Sequence, residues 1–502
     1  MIDTVAFGAA ASLLSASIIP WLVILPGLLI GLVFAAIPGL SISIAMAVFL
    51  PATAYLDFLP AILFLSAIFT GGTFGSAIPA VLINIPGAPA AVATTLDGHP
   101  MAQQGRHNEA LGISLMASCV GAALGYAVLL FLVSPLSVLV LRLGPSEMFV
   151  VAVWGITLIA VLRGRNIARG LMAGVFGLLL GTVGMSSRGS IRGTMDIVHL
   201  LDGIPYIPAM IGLFAASELF RVMHSDYIVH DKGARTISAR KTLAGCGMAL
   251  RYPGVLVQGS LIGVIVGAVP GVGAAVACLL SYSEVRRRAP DRDTFGKGNP
   301  RGVVAAESAN SSSEGGSMAT LLALGLPGGG GTAVMLGAFA MHNVTGGPRF
   351  ISDQKDIVYA IILANFAQVG LLLFVGFAFI FFASSIVKVP IRYLVPCVLV
   401  FAVMGSFALI GNLAGPVTLA VFAVIGWFMR RYDFPIAAAV IGLLLGRFAE
   451  GELLRTYQVS GATLEYFAGR PVTLTLAALL LLSLLWPVIS KGLNLRLGSP
   501  AK

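Results

Sequence analysis

The sequence predicts an all-α polytopic membrane protein, and three observations carry that prediction. Of 502 residues, 58% are hydrophobic and 10% charged, whereas soluble domains carry about 25% charged residues. Mean hydropathy is +0.96, and apolar stretches long enough to span a bilayer recur to the C-terminus. The 60 Gly and 26 Pro are spread through those stretches, and backbone breaks at membrane depth are tolerated only where protein or a cavity surrounds them. This composition excludes nucleic-acid binding, a secreted disulfide scaffold and disorder. Cys119, Cys246, Cys278 and Cys397 lie far apart in apolar segments with no CxxC spacing, the pattern of buried thiols rather than a zinc or redox pair.

Residues 1–20 read as an interfacial N-terminal helix. No Lys or Arg precedes Arg106, so the basic region of a cleaved signal peptide is missing. A first repeat follows over 21–206, with a hairpin at 21–56, a broken helix at 60–100 and scaffold helices. A second covers 207–450, with a hairpin at 253–283, a broken helix at 303–345 and further scaffold helices. Residues 451–502 form a C-terminal helix and tail.

The repeat is read from two pairs of segments. GLVFAAIPGL (31–40) aligns with GVIVGAVPGV (263–272), which carries position 38 onto 270, an offset of 232. FTGGTFGSAIPAVLINIPGAPA (69–90) aligns with NSSSEGGSMATLLALGLPGGGG (310–331), which carries 86 onto 327, an offset of 241. The difference falls in the polar stretch 284–302. With returning hairpins and crossing broken helices, about 11 crossings are expected. Arg142, Arg188, Arg192, Arg349, Lys355, Arg447, Arg455 and Arg470 then fall on one face, and every other Lys and Arg of the 31 on the opposite one. Basic residues are retained inside, so the larger set is cytoplasmic, the N-terminus periplasmic and the C-terminus cytoplasmic. Five crossings separate the hairpins, an odd number, which makes the repeats inverted, as in many secondary transporters.

A helix broken at mid-membrane offers free N–H groups and about half a positive charge at each new N-terminus. Four such starts are expected to converge: Pro38, Gly39 and Ser41; Pro86, Gly87 and Thr94; Pro270, Gly271 and Gly273; and Pro327, Gly328, Gly329 and Thr332. Ahead of the breaks stand Gly72, Thr73, Gly75, Ser76 and Asn84 in one half, and Asn310, Ser311, Ser313, Gly315, Gly316 and Ser317 in the other. A run such as NSSSEGGS is costly in lipid and belongs in a polar cavity. These are the expected substrate-binding residues. No Lys or Arg lies between 1 and 105 or between 303 and 348, so a carboxylate would be met by helix N-termini, hydroxyls and amides, with Na or H as a coupling ion. Sodium is placed near Asn84 and Asn310, and protons on Asp97, Glu307 or Glu314. No other cofactor is expected.

LINIPGAPAAVATTLDGHPMAQQGR (82–106) resembles the signature of the large permease subunit of the tripartite tricarboxylate transporter family. FGKGNPRGVVAAESAN (295–310) and LLALGLPGGGGTAVMLGA (321–338) resemble its second-half counterpart, and MRRYDFPIAAAVIGLLLGRFAE (429–450) with GRPVTL (469–474) its C-terminal region. The resemblance runs the length of the chain in order. It implies a permease of the bacterial inner membrane for small carboxylates, grouped with elevator-type ion-coupled carriers. Its implied partners are a periplasmic substrate-binding protein and a small integral membrane subunit. It singles out Gly98 as well as the breaks, Gly72, Gly75, Asn84, Thr94, Asp97, Glu307, Asn310 and Gly315-Gly316. Two departures stand out: Ser311 to Glu314 replaces small residues or a second Asn, and MHNVTGGP (341–348) replaces a His-Gly followed by Pro-Gly-Pro.

The chain has no HExxH, GxSxG or GxxxxGK[ST], so neither a metalloprotease, a serine hydrolase nor an ATPase is expected. A permease for another small anion class, and a channel without ion coupling, remain the alternatives.

Overall fold

The computed structural model describes residues 3–37, 40–163, 167–186, 189–217, 219, 237–270, 272–386, 391–460 and 469–482. About four-fifths of them are helical; the strands among the described residues are a two-residue pair, β1 (Gly184–Met185) antiparallel to β2 (Ile191–Arg192). Among the described residues, four helical stretches are long and apolar enough to cross a membrane: Ile19–Ala36, Phe58–Ile83, His107–Leu139 and Lys355–Phe382. Ala239–Ala249 and Pro253–Gly267 together make a fifth, bent by 75° where Pro253 starts the second helix. The all-α membrane class expected from composition is therefore the class observed.

Contacts divide the chain into two compact units, each drawn from two separated segments. Met1–Val138 with Ile207–Trp427 forms one, and Leu139–Tyr206 with Phe428–Lys502 the other.

In the first unit, α1 (Thr4–Ala16), capped by Asp3, precedes α2 (Ile24–Ala36). Then come α3 (Ile42–Phe49), α4 (Phe58–Gly75), α5 (Ala77–Ile83), α6 (Val92–Gln103) and the long α7 (His107–Val140). In the second unit α8 (Pro145–Arg163) and α9 (Ile167–Gly181) pack with a helix from the far end of the chain. The first unit resumes with a short helix Tyr206–Ile211 running into a π-turn over Gly212–Ala216. It continues through α10 (Ala239–Ala249), α11 (Pro253–Gly267), α12 (Gly273–Arg288), α13 (Pro300–Leu324) and α14 (Gly330–Met341). Then follow α15 (Lys355–Ile386), α16 (Ile391–Ile410), α17 (Ala414–Arg431) and α18 (Ile436–Val459), with a short apolar helix Pro471–Leu482 after them.

Two helix pairs, α2 with α4 and α11 with α13, approach so closely that only glycine fits between them. A Cβ on Gly31 would lie 2.1 Å from the Ile68 carbonyl oxygen, and one on Gly263 would lie 2.5 Å from that of Ala309. Across the same pairs, a Cβ on Gly75 would lie 2.8 Å from Leu32 O, and one on Gly316 would lie 2.2 Å from Val264 O. Small residues that let backbones meet are the usual means of helix association in lipid, where burying apolar surface gains nothing. The offsets of 232 and 241 carry each first-half contact onto its second-half counterpart. In the second unit the same device joins α9 to α18, where a Cβ on Gly177 would lie 2.0 Å from Ala439 O. Glu147, wholly buried, pairs there with Arg470 at 2.8 Å and accepts from Thr473.

Polar α13 is the most enclosed of these helices. Every residue from Gly302 to Ala323 is buried, so NSSSEGGS is a helix inside protein rather than a loop in water. Cys119, Cys246 and Cys278 are buried free thiols; the Cys397 side chain lies outside the described residues.

Candidate functional site

Both broken helices end in the same way. Helix α5 stops at Ile83 because Asn84 adopts the left-handed conformation (φ 59°, ψ 24°), and α13 stops at Leu324 because Gly325 does (φ 69°, ψ 18°). Gly and Asn are the residues that reach this region at least cost. Asn84 is exposed, and the register pairs it with Gly325, not with Asn310. Its backbone conformation accounts for its presence. We expect Asn84→Gly to keep full transport with an unchanged thermal midpoint, and Asn84→Ala to lose about 1–2 kcal/mol; loss of transport in the glycine variant would return its side chain to the ion site.

Beyond the caps the chain is held against the preceding hairpin. A Cβ on Gly87 would lie 2.0 Å from Ala35 O and 2.9 Å from Ser76 Cα; one on Gly328 would lie 2.5 Å from Gly267 O and from Ser317 Oγ. These are again equivalent contacts. Gly87 N–H donates to Ser76 O at 3.2 Å. In the second half Gly329 N–H donates to Thr332 Oγ1 at 3.0 Å, capping α14.

Three helix starts meet. Ser41 caps α3, its hydroxyl accepting from Ile44 N–H at 3.4 Å. A Cβ on Gly330, at the start of α14, would lie 2.4 Å from Ser43 Oγ of α3, and one on Gly329 would lie 3.7 Å from Cα of Gly273, at the start of α12. Ser41, Ser43, Gly329 and Gly330 are half-buried, so this seat is partly exposed. The fourth start, of α6, packs differently: the Pro89–Ala91 turn before it lies against α12 and α13, and Ala90 and Ala93 join Cys278 and Tyr282 in an apolar cluster. Pro38, Gly39 and Gly271 lie outside the described residues.

Most of the hydroxyls expected at the site bond backbone carbonyls instead. Thr73 donates to Thr70 O, Ser76 to Thr73 O, Ser313 to Asn310 O and Ser317 to Gly267 O. The first three are the back-bonds common for Ser and Thr inside helices; the last crosses from α13 to the end of α11. Gly72 packs on Ile42, and Gly315 on the backbone of Gly125 in α7.

The three acids differ sharply. Asp97 Oδ1 accepts from the backbone N–H groups of Gly296, Gly298 and Asn299 at 2.8–2.9 Å, and Oδ2 from Tyr282 at 2.9 Å. Both its oxygens are filled by protein, tying the middle of α6 to the loop that starts α13. Glu307 accepts from Thr94 on one oxygen and from Ser118 at 3.0 Å on the other. Glu314 Oε1 accepts from Thr70 at 2.8 Å and Tyr126 at 2.7 Å, while Oε2 has no partner. Both glutamates are fully buried, and neither has an ion-pair partner among the described residues. Ser118, Tyr126 and Tyr282 were not singled out from the sequence. Ser118 and Tyr126 stand eight residues apart on α7, the spacing that faces Glu307 and Glu314 seven apart on α13, but that signal has meaning only once the two helices are known to pack.

A polytopic helical membrane protein with two matching helix breaks and a half-open seat of helix N-termini belongs among transport proteins. The chain belongs to the tripartite tricarboxylate transporter TctA family, whose model matches residues 21–441. It is 28% identical over 456 residues, 90% of each chain, to an uncharacterized 52.8 kDa protein in the TAR-I ttuC' 3' region of Agrobacterium vitis. It is also 29% identical over 221 residues, 44% of this chain and 90% of the other, to an uncharacterized protein in the TAR-II ttuC' 3' region of the same organism. No solved structure matches it.

Proposed function

We propose that the chain is the ion-coupled permease subunit of a secondary transporter, taking up small di- or tricarboxylates. A periplasmic binding protein delivers the substrate and a small integral membrane subunit completes the complex. The chain lies in the bacterial inner membrane, its N-terminus periplasmic and its C-terminus cytoplasmic, with about 11 crossings, two inverted halves and elevator-type movement.

The observation that carries this reading is the meeting of the α3, α12 and α14 starts where the sequence supplies no Lys or Arg. Backbone N–H groups at about half a charge per helix suit a carboxylate. Three starts amount to about one and a half charges, too few for a di- or tricarboxylate, so a cation must travel with it. The recurring glycine contacts support two structurally related halves, and the odd number of crossings expected between the hairpins supports their inversion.

Reconstitution of the three components into vesicles tests it. Labelled di- or tricarboxylate is expected to accumulate against its gradient under an imposed Na⁺ or H⁺ gradient, saturably and without ATP. Non-saturating flux that only equilibrates, or accumulation that survives collapse of both gradients, would overturn the coupled-carrier reading.

A further inference from the structure

We propose that the Asn310–Ser311–Glu314 turn of α13 is a sodium site, one per chain. This rests on the transporter reading and names where its coupling ion sits.

Three side-chain oxygens on this turn are buried without a partner: Asn310 Oδ1, Ser311 Oγ and Glu314 Oε2. Buried polar atoms in native proteins are nearly always bonded, and residues three or four apart on a helix are neighbours. Asn310 and Ser311 therefore both adjoin Glu314. The other ends of two of these groups are fixed on α4, within a single turn. Asn310 Nδ2 donates to Thr73 O at 3.1 Å, and Glu314 Oε1 accepts from Thr70. The amide is thus oriented with its nitrogen satisfied and its oxygen free. Ser311 is the exception in its run: Ser308, Ser312 and Ser313 each donate to the carbonyl three residues back, and Ser311 does not.

The missing ligand is positive. An isolated carboxylate in the interior is costly unless neutralised, and among the described residues no basic side chain pairs with Glu314. A proton on Oε2 would join the Ser311 hydroxyl as a second donor on this turn; it is the competing occupant that the pH arm of the test below separates from Na⁺. A hard cation takes carboxylate, amide and hydroxyl oxygens together, and a single carboxylate balances a single charge, which favours Na⁺ over a divalent ion. In the first half the register places Phe69, Thr70 and Thr73 at the equivalent positions, with no carboxylate, so the site is not duplicated.

Binding of radioactive Na⁺ to the purified full chain, at constant ionic strength with choline as replacement, tests the site without any carboxylate. Saturable Na⁺ binding is expected, lost in Glu314→Gln and weakened about tenfold or more in Ser311→Ala. The Ser311 hydroxyl makes no bond among the described residues, so a purely structural serine would leave Na⁺ binding untouched. Its loss also keeps the test decisive if the Glu314 variant fails to fold. No Na⁺ binding by the wild type, binding undiminished in Ser311→Ala, or a thermal midpoint that answers to pH but not to Na⁺ would each overturn the site. Carboxylate uptake that persists without Na⁺ binding sinks the site alone. Na⁺ binding without carboxylate uptake sinks the transporter reading alone.

Discussion

Asp97→Ala is expected to lower the thermal midpoint of the purified chain sharply, while Asp97→Asn keeps most of the stability and most of the transport. The alanine variant removes the acceptor of three backbone N–H groups, at Gly296, Gly298 and Asn299, and of the Tyr282 hydroxyl. At about 1–3 kcal/mol for each buried donor left unpaired, the loss is about 3 kcal/mol or more. Asparagine keeps a carbonyl oxygen in the place of Oδ1, and its amide can donate to the Tyr282 oxygen. The comparison separates two roles for this acid. A coupling ion or proton on Asp97 needs the negative charge, so the asparagine variant would then fold normally and fail to transport. A latch needs only the acceptor. A Cβ on Gly302 would lie 2.1 Å from Asp97 Oδ2, which leaves no room for an ion on that side. Thermal denaturation in detergent, paired with vesicle uptake, decides between them; equal midpoints for the two variants would sink the latch.

The limits of the sequence are visible in the same acid. Asp97 stands about 200 residues from the loop it holds, and Tyr126 stands 188 residues from Glu314. No local pattern announces such pairs, because the side chains meet only after α6, α7 and α13 have packed. What was legible is what the backbone itself enforces. Proline-glycine breaks recur at fixed offsets, and the structure carries close glycine contacts at the same offsets, from Gly31 on Ile68 and Gly263 on Ala309 to Gly87 on Ala35 and Gly328 on Gly267. The polar run NSSSEGGS was legible as buried, since no loop needs to align with an apolar helix. Likeness of residue type misled where register did not: Asn84 and Asn310 look like partners, yet Asn84 is a helix cap equivalent to Gly325. The grouping of 139–206 with 428–502 into one unit was not legible either, because it depends on helix faces drawn from opposite ends of the chain.

The two glycines beyond the breaks give the other large effect, and their equivalence makes it a paired expectation. Gly87→Ala and Gly328→Ala should each reduce uptake by roughly ten- to a hundredfold, from the 1–3 kcal/mol that overpacking costs where backbone must shift. The new methyl would meet Ala35 O in one half and Gly267 O in the other, so each helix break would be pushed off the hairpin that precedes it. In the second half the displaced segment runs straight into Gly329 and Gly330, where the α3, α12 and α14 starts meet. The loss should therefore appear in carboxylate uptake before it appears in expression. Gly254→Ala and Gly370→Ala are the matched controls, since a Cβ at either would meet nothing within 4 Å and alanine favours the helix by up to about 1 kcal/mol. Should the controls lose uptake as badly as the break variants, the effect would be general to glycine replacement. Should Gly328→Ala transport normally at normal expression, the close approach at Gly267 would not set the geometry of the seat. Unequal losses at Gly87 and Gly328 would be informative in a further way: only the second break feeds the seat of three helix starts, so the Gly328 variant should be the more damaging of the two.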